Sequence, residues 1–311
     1  MGGRIAGPCE VSPARRTYWH LESSERVPTE YEIATSRILY YAGRGFEVDL
    51  PLSGWYERYQ QGSPFACADP DDWEEFRDPR ATTYSRYASI QAAKEALVDA
   101  LFESIERDAA DRSRDAAWLA ALERIVPPAR HLFHGLQMAA CYVGQMAPSG
   151  RIAICAMFQA ADEMRRLQRF AYRMALLRRA VPGFGDGARA VWEDDPAWQG
   201  AREAVERLLA TYDWGEAFVA LDLVLKPRID AFFGGAFARA AALAGEPLWV
   251  EVLASLDQDC VWHREWSGAL LSLVETRVES SRASLDDWRR HWGALAERAG
   301  TGLDSLLVAR S

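Results

Sequence analysis

Two short strings in this chain carry metal-ligand types at almost the right spacing. They are Asp162-Glu163-Met164-Arg165-Arg166 and Asp259-Cys260-Val261-Trp262-His263. A carboxylate-bridged two-metal centre inside a helical bundle takes one Glu from each of two helices and a Glu-x-x-His pair from each of two others. Residues three apart share a helix face, so carboxylate and imidazole can grip the same metal pair. No Glu-x-x-His occurs anywhere in the chain. In the first string Glu163 is present but Arg166 stands where the imidazole is needed. In the second His263 is present but Cys260 stands where the carboxylate is needed. Gln137 and Glu216 hold the places where the two single Glu ligands are sought. A guanidinium has no free lone pair and stays protonated, so Arg166 cannot bind a metal, and a neutral Gln is a poor bridge.

Taken singly, each residue has a plainer reading. Glu163 and Arg166 are spaced for an ordinary helix ion pair. His263, beside Trp262 and Trp266, suits a packed core histidine. His131 and His134 share a face, but no carboxylate lies within a turn of them. Cys141 and Cys155 fit small buried hydrophobes.

The elements that would position these residues are helices. From about residue 86 apolar residues recur at three-and-four spacing, first over Tyr87 to Arg107. Pro127-Pro128 is expected to open a helix that ends near Pro148, because proline is tolerated in a first turn. Further helices are expected over 151–180, Pro196 to Ala210, Trp214 to Phe233, Leu248 to Val278 and Leu285 to Ala299. The segment Ile152 to Ala161 is apolar nearly all round and should be central. No segment alternates like a strand. Two pairs result, 128–146 with 151–180 and 214–233 with 248–278, the layout of an all-α, ferritin-like bundle.

Residues 1–85 differ from the expected helical domain, 86–311. Pro8, Pro13, Pro28, Pro51, Pro64, Pro70 and Pro79 interrupt them, which argues against long helices. They also carry Trp19, Tyr31, Trp55, Tyr56, Trp73 and Phe76, too aromatic for a disordered tail. The expectation is an extended arm, with these six residues laid on a partner.

Composition narrows the function. The chain has 311 residues, 49% hydrophobic and 26% charged, with a net charge of −9. That charge leaves no basic footprint for nucleic acid and disfavours anionic membranes. The longest apolar run, Ile152 to Phe158, is too short for a membrane span. The first residues lack an apolar signal region. The five scattered cysteines form no C-x-x-C pair, consistent with reduced thiols in the cytoplasm.

Several long strings resemble the beta subunit of bacterial toluene/o-xylene monooxygenase and phenol hydroxylase hydroxylases. They are RVPTEYEIATSRILYY (26–41), WYERYQQGSPF (55–65), DDWEEFRDPRATTYSRYASIQ (71–91), PARHLFHGLQM (128–138), WEDDPAWQGAREAVERLLATYDWGEAF (192–218) and HREWS (263–267). The resemblance implies a ribonucleotide-reductase-like bundle with an N-terminal segment embracing a partner. It implies an (αβγ)₂ hydroxylase in which the alpha subunit holds the diiron centre and this chain holds no metal or other cofactor. A gamma subunit, an effector protein and a reductase complete such a system, which hydroxylates small aromatics or other hydrocarbons with O₂. The alternative is a self-standing ferritin-like metal-dependent oxidase using Glu163, Glu216, Cys260 and His263. A plain helical binding module is a third.

Overall fold

Two prolines of the N-terminal third, Pro51 and Pro70, start helices. The computed structural model describes residues 27–35, 51–108, 111, 114–278 and 281–308, and no strand occurs among them. Helix α1 is Glu30–Thr35, and α2, Pro51–Gly62, begins on a proline, whose missing N–H has no helical partner in a first turn. Pro70 likewise opens a 3-10 turn, Pro70–Glu75, capped by the Asp69 side chain.

This region packs on the chain itself, which corrects the arm expectation for the described residues. Tyr31, Tyr56, Trp73 and Phe76 are all buried in the chain's own core. The Tyr56 hydroxyl donates to the carbonyl of Ala147 at 2.6 Å, and the Tyr59 hydroxyl to that of Tyr212 at 2.8 Å. Trp73 and Phe65 both pack edge-on against Trp214. The buried Asp78 carboxylate accepts from the Trp262 indole at 3.0 Å. Aromatics in a proline-broken segment therefore mark a strap over the bundle. Trp55 alone of the described candidates is exposed, stacked on Tyr59. Trp19 lies outside the described residues.

The bundle follows. Helix α3 is Tyr84–Asp108, α4 Ala116–Met146, α5 Gly150–Ala180, α6 Ala188–Asp194 and α7 Pro196–Leu209. Helix α8 runs over 214–243, α9 is Pro247–Arg277 and α10 Ser281–Ser305. Helices α4 and α5 form one antiparallel hairpin, and α8 and α9 the other, joined through Gly245 at φ +77, a backbone conformation that suits glycine. These are the two expected pairs. Helix α3 lies against α5 and α9, while α7 and α10 cover the far side. A Cβ on Gly200 of α7 would come within 2.7 Å of the Arg298 backbone, so this pair depends on glycine at the crossing. Five tryptophans, Trp198, Trp214, Trp249, Trp266 and Trp292, are almost wholly buried between the layers. No described helix is long and apolar enough to cross a membrane.

The expected start at Pro127 is wrong, because α4 begins more than two turns earlier, where the Asp115 side chain accepts from the N–H groups of Ala117 and Trp118. The helix passes through both prolines. Pro128 leaves the Arg124 carbonyl without its helical donor. The Trp198 indole donates to that carbonyl at 2.8 Å and makes the interior proline tolerable. Trp198→Phe should therefore cost about 1–3 kcal/mol in urea unfolding, the usual cost of a buried orphaned acceptor.

Helix α8 is not uniform. Val219–Leu225 and Ala231–Phe237 are π-helical turns flanking Lys226–Asp230. Such wide turns are rare and often accompany functional positions. Lys226 and Asp230 lie between them and Asp222 within the first, so three buried charged residues of α8 recur at every fourth position.

Candidate functional site

The polar centre lies where the two hairpins meet. Helix α5 supplies Glu163 and Arg166, α8 supplies Lys226 and Asp230, and α9 supplies Cys260, all buried. The Arg166 guanidinium donates to Asp230 Oδ1 at 2.7 Å and lies 3.8 Å from Glu163 Oε2. The Lys226 ammonium donates to Glu163 Oε1 at 2.5 Å and sits 3.1 Å from Asp230 Oδ2. Cys260 Sγ is 3.5 Å from Lys226 Nζ. Two cations thus face two carboxylates. The guanidinium also lies over the rings of Phe133, at 4.4 Å, and Phe233, at 5.1 Å. Rings stacked on its faces leave its edge to the carboxylates.

The electrostatics favour this charged arrangement. Burial opposes the Lys226 charge, but the Asp230 and Glu163 carboxylates outweigh it and hold the ammonium above its ordinary pKa. Burial also opposes ionisation of Asp230, yet Lys226 and Arg166 hold that carboxyl well below its usual range. Burial and the Asp230 charge push the Cys260 thiol up, so it stays a neutral thiol.

A second polar layer adjoins the first. His263 Nε2 is 2.9 Å from Asp162 Oδ2. Burial holds the imidazole down, to about 3, with Lys226 adding to the effect. The imidazole is neutral, and the contact is a hydrogen bond with no ion pair. Asp162 Oδ1 accepts from the Tyr87 hydroxyl at 2.7 Å and from the Gln91 amide at 2.8 Å. Burial, then the Asp259 charge, pushes the Asp162 carboxyl well up. Asp259 itself stays below its ordinary range, because Arg165 and Lys94 outweigh its burial.

Asp222 is the outlier. Its Oδ1 accepts from the Gln159 amide at 2.5 Å, and Trp266 fixes that amide by donating to its oxygen at 3.0 Å. Its Oδ2 is buried without a hydrogen-bond partner. Burial pushes the carboxyl up to about 7, against the Gln159 bond and Lys226. The unfolded chain ionises this group near 3.8, while the fold keeps it neutral until about 7. Its stabilising contribution is complete below about pH 4 and is lost as pH rises to about 7, a fall on the order of 4 kcal/mol. Asp222→Asn keeps the acceptor for Gln159 and removes the titration. The variant should melt higher than the parent at pH 8, and the gap should close by pH 4.

Glu163, Arg166 and Cys260 therefore come together, with His263 one layer away. The tightest ion pairs nevertheless cross between helices: Arg166 with Asp230, and Glu163 with Lys226. Gln137 does not serve this centre as expected. Its amide donates to Cys141 Sγ, one turn along its own helix, and Phe133 makes the α4 contact with Arg166. Glu216 is also displaced from the expected place. It accepts from the Trp292 indole of α10 at 3.0 Å, well along α8 from Lys226. Lys226, Asp230 and Asp222 were missed, though charges inside the apolar run 217–233 were the available signal. Among the described residues, no group of three or more His, Cys, Asp and Glu is arranged to hold a metal. An ammonium and a guanidinium in its middle also do not fit a diiron centre.

Comparison with known proteins gives a consistent set of relatives. A family model described as methane/phenol/alkene hydroxylase matches residues 55–276. The beta subunit of the hydroxylase component of the toluene-4-monooxygenase system of Ectopseudomonas mendocina is 35% identical, covering 96% of this chain and 92% of its own length. The small subunit of the hydroxylase component of propane 2-monooxygenase from Gordonia sp. (strain TY-5) is 24% identical, covering 95% and 82%. A solved structure of toluene bound in the resting active site of toluene 4-monooxygenase contains a chain that superposes with a TM-score of 0.83 at 34% identity, covering 92% of this chain and 99% of that one. Xenon-pressurised phenol hydroxylase from Pseudomonas sp. OX1 shares the fold at 18% identity, with a TM-score of 0.81 and coverage of 98% and 91%.

Proposed function

Because this chain belongs to the methane/phenol/alkene hydroxylase family, we propose that it is the metal-free beta subunit of the hydroxylase component of a multicomponent diiron monooxygenase. The observation that carries the metal-free reading is the pair of buried cations, Lys226 and Arg166, neutralising Glu163 and Asp230 at the crossing of the two hairpins. Metal-bridging carboxylates repel one another once metal is gone, and a buried unpaired carboxylate costs several kcal/mol, roughly. Two fixed cations supply that compensation permanently. The centre becomes a structural clasp between the hairpins.

On this reading the diiron centre, the substrate cavity and the O₂ chemistry belong to a larger alpha subunit. The complex has (αβγ)₂ composition, takes electrons from NAD(P)H through a separate reductase, is regulated by an effector protein and works in the cytoplasm. Small aromatics or other hydrocarbons are its substrates. The rival reading, a self-standing metal-dependent oxidase, needs Glu216 beside Glu163, Cys260 and His263. Glu216 instead binds Trp292. The test is reconstitution. The alpha and gamma subunits, reductase and effector should hydroxylate toluene only when this chain is present. Turnover by this chain with iron and reductase, but no alpha subunit, would establish the rival.

A further inference from the structure

Helix α3 turns polar residues toward the bundle beside the apolar Val98 and Phe102: Gln91 donates to Asp259 at 2.9 Å as well as to Asp162, and Lys94 pairs with Asp259. Glu95 accepts from Arg165 at 2.6 Å. Its exposed side between residues 88 and 100 carries one charge, Asp99, already bonded to Arg169. The rest of that side is small or apolar, with Ile90 41% and Leu97 57% exposed. The opposite side of the molecule looks like ordinary solvated protein, studded with ion pairs such as Arg202–Glu206 and Arg298–Glu203.

We propose that this outer face of α3 seats a helix of the large hydroxylase subunit, a proposal that rests on the beta-subunit reading above. The geometry indicates a helix as the occupant. Ser89, Ala93, Ala96 and Ala100 follow the alternating four-and-three spacing of a helix–helix seam. Side chains this small allow axes to approach to about 8 Å. Ile90 and Leu97 flank the seam and supply the apolar grip. Size argues against a second copy of this chain. The face is about 20 Å long, and half the surface of a helix of that length is roughly 300 Å². Two such faces together fall well below the ~1,200 Å² at which specific stable interfaces begin. The partner must extend beyond the seam, as a large subunit does.

The test uses the full chain co-expressed with the large subunit. Ala93→Glu and Leu97→Lys change exposed positions and should leave the far-UV spectrum and melting temperature unchanged. Each buries an unpaired charge in the seam and should weaken association by about a hundredfold. Leu243→Glu, 91% exposed elsewhere, should change nothing. Hydrogen exchange in the unsubstituted complex gives a second readout, with protection rising over 88–101. Wild-type affinity in both variants, with no protection over 88–101, overturns the seam and leaves the beta-subunit reading standing. If the unsubstituted chain fails to associate at all, the reading itself falls and the seam with it. Variants that lose only self-association of the isolated chain would assign the face to a second copy.

Discussion

Lys226→Met should destabilise the chain by about 3–5 kcal/mol, the usual cost of removing one partner from a buried charge cluster. Without the ammonium, Glu163 Oε1 loses its 2.5 Å donor, and Glu163 keeps only the 3.8 Å contact to Arg166. Asp230 retains its 2.7 Å bond to Arg166, so the residual strain falls on Glu163. Arg166→Ala should cost a similar amount for the converse reason. It leaves Asp230 on Lys226 and a 3.8 Å contact to Arg264, and opens space between Phe133 and Phe233. The pairwise pattern separates this clasp from ordinary packing. Lys226→Met combined with Glu163→Gln should recover much of the single-variant loss, since the orphaned charge is gone. Additive losses in guanidinium unfolding would mean that the four residues do not act as one unit.

The second large effect concerns the strap. Deleting residues 1–83 should abolish cooperative unfolding and leave a chain with exposed core tryptophans. Phe65 and Trp73 cover Trp214, and Tyr56 binds the carbonyl groups that end α4. Removing even one such buried aromatic costs about 3–5 kcal/mol. Losing several together exceeds the roughly 5–15 kcal/mol by which a domain is stable. Trp73→Ala alone should lower the melting temperature while keeping the helical spectrum. A truncated chain with a sharp, native-like melt would show that the strap belongs to a partner after all.

Periodicity made the bundle legible because its helices carry their burial pattern locally. The two hairpins and the central place of 151–180 follow from spacing, and the break after Ala180 from the turn-forming string Val181-Pro182-Gly183-Phe184-Gly185. The misses share a different cause. Pro128 is tolerated mid-helix because Trp198, on another helix, serves the freed carbonyl of Arg124. Tyr56 and Trp73 are buried by surfaces far along the chain, so aromatic content could not tell the chain's own core from a partner. In the site, the two degenerate motifs pointed to Glu163, Arg166 and Cys260, which the fold brings together, and to His263, one layer away. Gln137 and Glu216 failed because register between helices is not encoded in either helix. The π-turns around Lys226 compound the problem, since they shift the face of α8 relative to any regular count.

The most direct test of the central claim is the iron content of this chain. The intact chain should be refolded or purified free of partners, loaded anaerobically with ferrous iron, desalted and assayed by elemental analysis. With Lys226 and Arg166 occupying the centre, the result should be well below one iron per chain. Recovery of about two irons per chain, the stoichiometry of an intact ferritin-like dinuclear centre, would contradict the metal-free assignment.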